Sequence, residues 1–212
     1  MNPRHLLLAL CVLLLTAFAS AETSESAHRS WVRAGLERLP KTPEDRASST
    51  RSTELDQLAA AIGEVSAKAP RSPREWSALL MAIGSNETNF AGRLLRGECR
   101  LDRHECDAAK GKDGKWFARA RGWGQVHRNT RNAALWDAAE SDIAAQTKLV
   151  DHQLRSAYWT CAKSGQPWVR ATLNAYFGVR CGADWPGLAK REATFQRTLA
   201  TPTVKAQAEA GS

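Results

Sequence analysis

Between Pro70 and Phe90 the apolar residues Trp76, Leu79, Leu80 and Ile83 follow the i, i+3, i+4, i+7 spacing of a helix with one face in a core. Ser72, Pro73 and Glu75 open the stretch: a Ser cap, a Pro at the first helical position and an acid three residues past the cap. Together they satisfy or remove orphan N–H groups. Glu87 continues the stripe one turn on. A carboxylate on the inward side of a helix end loses water, which disfavours its charged form, the condition a general acid needs near neutral pH.

The same periodicity recurs elsewhere. Trp31 to Leu39 reads as a short helix stopped by Pro40, after a polar, unstructured Glu22 to Ser30 and before a linker rich in Pro, Ser, Thr and charge from Thr42 to Ser52. Leu55, Leu58, Ile62 and Val65 mark a helix closed by Pro70. Ile143, Thr147, Val150, Leu154 and Tyr158 line one side of a helix over Asp142 to Trp159. Pro167 starts another that stops at Gly178, and Pro186 to Leu199 gives the last.

From Arg93 to Arg121 the pattern dissolves, and Asp113-Gly114 is a hairpin turn signal within it. Gly122-Trp123-Gly124-Gln125-Val126 is too glycine-rich for a helix interior and lacks the further elements of a phosphate loop. The expectation is a mostly α chain with one small disulfide-pinned loop or β-hairpin. It divides into a signal peptide at 1–21, a polar N-terminal segment and linker at 22–52, a domain at 53–200 and a low-complexity tail at 201–212.

The signal is read from Arg4, the apolar run Leu6 to Leu15 and the small residues Ala19-Ser20-Ala21. It predicts cleavage after Ala21 and a periplasmic or secreted protein. The apolar run is too short to span a bilayer, so no integral membrane segment is expected after cleavage. Leu10 before Cys11 is too large for a lipoprotein cleavage site.

Export changes how the five cysteines are read. Cys11 leaves with the signal, and Cys99, Cys106, Cys161 and Cys181 form two disulfides in one of three pairings. The local pairings, Cys99 with Cys106 and Cys161 with Cys181, are expected, each stabilising by roughly 2.5 to 3.5 kcal/mol on the chain-entropy model. Oxidation and spacing disfavour a zinc site that uses His104 beside Cys99 and Cys106, and neither a metal nor a cofactor is expected. The net charge is +8, of which Arg4 contributes one. Such a surface attracts polyanions, and in an exported protein an acidic cell wall is favoured over nucleic acid, for which no motif is present. Trp116, Trp123 and Trp185, from a total of eight Trp, are candidates for stacking on sugar faces.

Three short stretches carry a resemblance. Ala82-Ile83-Gly84-Ser85-Asn86-Glu87-Thr88-Asn89-Phe90 looks like a helix ending in Glu-Ser-x-Phe, Gly122-Trp123-Gly124-Gln125 looks like Gly-Leu-Met-Gln, and Leu173-Asn174-Ala175-Tyr176-Phe177-Gly178 is similar to Ala-Tyr-Asn-x-Gly. In this order they resemble the lysozyme superfamily, in particular its soluble lytic transglycosylase and goose-type lysozyme branch. The resemblance implies a lysozyme-like α+β domain acting on the glycan strands of peptidoglycan, with Glu87 as catalytic acid and Gln125 and Tyr176 in the cleft. Two departures matter. The Asn expected after the tyrosine is absent, so its sugar contact is missing or comes from Asn174 or Arg180, and Trp123-Gly124 replaces Leu-Met in the cleft wall.

A lytic transglycosylase needs only one carboxylate, whereas a hydrolase needs a second about 5 to 9.5 Å from the first. Asp102, Glu105, Asp107 and Asp113 are available for that role in the preceding loop, with Asp113 the first to test. A hydrolytic lysozyme and a non-catalytic wall-binding protein are the alternatives.

Overall fold

The computed structural model describes residues 24–40 and 42–202. The expected signal peptide and most of the expected low-complexity tail lie outside the described residues. Within them the chain is mostly helical, with two small antiparallel hairpins and two disulfides. Among the described residues no helix is long and apolar enough to cross a membrane.

In chain order there are α1 (24–38), α2 (Pro43–Ala47), α3 (Arg51–Ser66), α4 (Pro73–Glu87) and α5 (Gly92–Leu95). Two 3₁₀ turns, Leu101–Arg103 and Glu105–Asp107, lead into the hairpin β1 (Ala109–Lys110) and β2 (Trp116–Phe117). A second hairpin follows, β3 (Ala120–Arg121) and β4 (Val126–His127), with Ala120 opposite His127 and Arg121 opposite Val126. The chain ends in α6 (Ala133–Ala138), α7 (Ile143–Cys161), α8 (Trp168–Tyr176) and α9 (Leu188–Leu199).

The helix α4 starts as the sequence predicts. The Ser72 side chain accepts from the Glu75 N–H, and Glu75 reaches back to the Ser72 backbone, closing a capping box. What the stripe understated is burial on every side: Trp76 through Gly84 are all buried, because α3 and α9 pack against α4 and α7 closes over its start. The buried indole of Trp76 donates to Asp151 of α7 at 2.7 Å. Arg155 holds Asp151 at 2.7 Å and donates to the Val65 and Lys68 carbonyls at the end of α3. One arginine therefore holds a buried acid and two carbonyls at the end of α3 at once.

The polar N-terminal segment is not a separate linker. Its residues 24–30 are helical, and Trp31, Val32 and Leu36 of α1 lie in the same core as α4. The Trp31 indole donates to the Thr201 carbonyl at 2.8 Å, so the two ends of the described chain meet. The supposed loop at 42–52 contains α2, whose Thr42 cap accepts from the Asp45 N–H. Asp45 is buried and accepts from the Gly92 N–H at 2.8 Å. A few inward residues on an otherwise polar helix give too weak a periodic signal to reveal that packing.

The disulfides take the local pairings, with Cα atoms 6.0 Å apart for Cys99–Cys106 and 5.6 Å for Cys161–Cys181. The first pins the loop ahead of the hairpins, and the second ties the end of α7 to the chain beyond α8. His104 packs edge-on against Trp116, and the cysteines beside it are bonded to each other.

Candidate active site

Glu87 is the last residue of α4, where burial gives way to a cleft. Asn89 and Phe90 follow with φ near 50°, in the left-handed region that favours glycine. The reversal turns the Phe90 ring back onto the face of Gly84, where any β-carbon would clash with it. Thr88 donates its hydroxyl to the Trp123 carbonyl at 2.9 Å. The end of α4 is thereby joined to the Gly122–Gln125 turn.

The third stretch closes on the same point. Tyr176, at the end of α8, donates its hydroxyl to the Gly124 carbonyl at 2.9 Å. Burial, and then the negative charge of Glu87, push the Tyr176 hydroxyl far above the ordinary tyrosine range, so it stays a neutral donor. A β-carbon at position 124 would lie 2.5 Å from Val150 and 3.0 Å from that hydroxyl, so glycine is required for the close approach. Gln125 has φ 50° and donates its amide to the Gly122 carbonyl at 2.9 Å.

The cleft has a volume of about 510 Å³, within the range of ligand sites, and its walls include Glu87, Asp107, Gln125, His127, Tyr176 and Phe177. A larger cavity of about 770 Å³ lies between α1, α3 and the start of α7 and contains none of the motif residues. Size alone does not locate the chemistry here.

Glu87 is not the unpartnered acid that its place in the stripe suggested. Arg191 of α9 donates to its Oε1 at 2.6 Å, with both side chains largely shielded. The guanidinium lies over Phe177 at 4.5 Å and Trp185 at 5.0 Å, and its Nε is buried with no partner among the described residues. The two residues are 104 positions apart, and no local pattern singles out Arg191.

Other expected site residues are placed elsewhere. Trp123 is fully buried against Phe90, ring centroids 5.0 Å apart, and lines no cleft. Asn174 is fully buried as well: its amide donates to the Cys181 and Ala183 carbonyls, and its oxygen accepts from the Trp185 indole. It braces the loop after α8 and touches no solvent. Asp113 sits in the exposed β1–β2 turn, accepts from the Lys115 N–H at 3.1 Å and is not a cleft residue.

The second acid lining the cleft is Asp107. Arg119 donates to its Oδ1 at 2.9 Å, and His127 lies 3.2 Å from its Oδ2. The Arg119 hydrogen bond holds the Asp107 carboxyl below the usual range, with His127 adding to the effect. Four acids in one polar loop look alike in sequence, and only the fold separates the one that faces the cleft. No protein-family model, curated protein or solved structure matches the chain.

Proposed function

We propose that the protein is a lysozyme-like enzyme that cleaves the glycan strands of peptidoglycan as a lytic transglycosylase, with Glu87 as acid and then base. The observation that carries this proposal is the meeting of three segments distant in sequence. The ends of α4 and α8 and the Gly122–Gln125 turn put Glu87, Tyr176 and Gln125 on one cleft, stitched by Thr88 to Trp123 and Tyr176 to Gly124. The net charge of +8 suits a substrate that carries acidic groups.

In the first step the Glu87 carboxyl gives its proton to the glycosidic oxygen as the C1–O bond breaks. In the second the carboxylate takes the proton of the muramoyl 6-hydroxyl, and O6 closes on C1 as a 1,6-anhydro ring. Arg191 donates to Oε1, and a carboxyl protonated on Oε2 still accepts that hydrogen bond, so Arg191 can hold the group while Oε2 delivers the proton. Tyr176, held neutral, fixes the position of the turn that carries Gln125.

Digestion of purified sacculi tests the proposal. Anhydro-muropeptides are expected by mass spectrometry, and Glu87→Gln should fold normally yet lose at least about 10²-fold in rate. Activity retained by Glu87→Gln on sacculi would overturn the role.

A second reading, hydrolysis, rests on Asp107, an ionised carboxylate lining the same cleft and able to take a proton from water. It predicts reducing-end products and a loss of at least about 10²-fold in Asp107→Asn. Under transglycosylation Asp107→Asn stays within about tenfold of the parent.

A further inference from the structure

A second pocket, of about 470 Å³, opens on the other side of the end of α4, bounded by α1, α4 and α9. Arg38, Lys190 and Arg197 line it together with Ser85, Asn86 and Asn89, and no acid does. The acids on the three wall helices are all committed elsewhere. Glu25 pairs with Arg29, Glu37 with Arg33, Glu75 with Arg71, Glu87 with Arg191 and Glu192 with Arg170. The three pocket cations have no ion pair among the described residues.

Helix electrostatics explain only part of this. Arg38 and Arg197 lie in the last turns of α1 and α9, where a cation offsets the partial negative charge of the helix end. Lys190 lies in the first turn of α9, where that charge is positive and a cation is disfavoured. Three full cations also outweigh the partial charges of about half a unit at each of the three helix ends near the pocket, those of α1, α4 and α9. The polar Ser85, Asn86 and Asn89 supply hydrogen-bonding groups around an anion.

The pocket and the cleft share their dividing wall. Asn86 lines the pocket and Glu87 the cleft, while Lys190 lines the pocket and its neighbour Arg191 pairs with Glu87. One residue along a helix is a rotation of about 100° and a rise of about 1.5 Å, so the two openings are adjacent around the same helix end.

We propose that this pocket binds the carboxylates of a peptide branch carried by the polymer in the cleft, a proposal that rests on the function inferred above. Substrates with acidic peptide branches would then be preferred over bare glycan.

The test is a titration, by NMR or calorimetry, with an acidic tetrapeptide bearing free carboxylates and with its carboxamide twin. The free acid should bind at least about tenfold more tightly than the amide. The double variant Lys190→Gln with Arg197→Gln should lose about tenfold or more with an unchanged melting temperature, since both side chains are exposed. Equal binding of acid and amide, no binding by the parent protein, or undiminished binding by the double variant would each overturn the proposal. Inorganic phosphate is the control probe, and tighter binding of phosphate than of the peptide overturns the peptide assignment. Sacculus digestion separates the two proposals. Peptide binding without cleavage removes the enzymatic function and leaves the pocket, whereas cleavage without peptide binding removes the pocket alone.

Discussion

Glu87, Tyr176 and Phe177 reach the cleft from the ends of helices with dry inner faces, whereas Asp107, Gln125 and His127 reach it from turns and two-residue strands. On the helical side position comes from burial: nine consecutive residues of α4 are out of solvent, and α3 and α9 pack around them. On the loop side there is little apolar surface to bury. His104, Cys106, Asp107 and Gln125 all have positive φ without being glycine. Position there comes from the Cys99–Cys106 bond, the Arg93–Glu105 pair, the Glu105 bond to the Arg100 N–H and the Arg119–Asp107 bond. A wall held by burial resists local change until the whole domain fails. A wall held by a covalent bond and exposed polar contacts can loosen alone.

The largest perturbation should come from a residue that is loop by sequence and helical side by packing. Trp123→Ala is expected to cost about 3 to 5 kcal/mol in a urea melt, the usual price of emptying a buried aromatic site. An unchanged midpoint would return Trp123 to the cleft wall.

Replacing Cys99 and Cys106 together by Ser should cost about 2.5 kcal/mol or less. Hydrogen exchange should then quicken over residues 99–127 and stay unchanged in α4 and α7. Equal quickening in α4 would erase the distinction between the walls.

The helical side has its own weak point in acid. His28 of α1 lies 3.1 Å from the Ser77 hydroxyl and stacks near Trp31. Burial, and then the charge of Arg74, lower its pKa below the ordinary value of 6.5. The unfolded chain therefore takes up this proton more readily than the folded one, so the contribution is whole above about pH 6.5 and falls away as pH drops through the folded value. His28→Gln should flatten the dependence of the urea midpoint between about pH 7.5 and 5.5; an unchanged slope would assign it to other groups.

The smallest effect is expected at Asp113. Asp113→Asn should shift stability by no more than about 0.5 kcal/mol and leave sacculus digestion unaltered. A clear loss of cleavage would move the second acid from Asp107 back to the β1–β2 turn.

The contrast between the walls also divides what could be read in advance. The capping box at Ser72, the span of α4 and the ends of α7 and α9 follow from cap chemistry and period, which are local. The disulfide pairings follow from short loops, also local. The α1 helix was read only from Trp31 on, because its buried positions are few, and α2 was read as linker. Their place in motifs that resemble those of a sugar-binding family points Asn174 and Trp123 at a substrate. Their side chains turn inward, and a motif does not state which way a side chain faces.

The amino-acid sequence by itself determined a mostly helical chain, two short-range disulfides and three segments with chemistry to offer, since each depends on residues within a few turns of one another. Tertiary structure alone decided that Arg191 would meet Glu87, that Asp107 rather than Asp113 would line the same cleft, and that three cations would share a pocket without an acid. Those pairings span up to about a hundred residues, and only the packing of a core brings such positions together, because the side chains' own preferences extend no further than their neighbours.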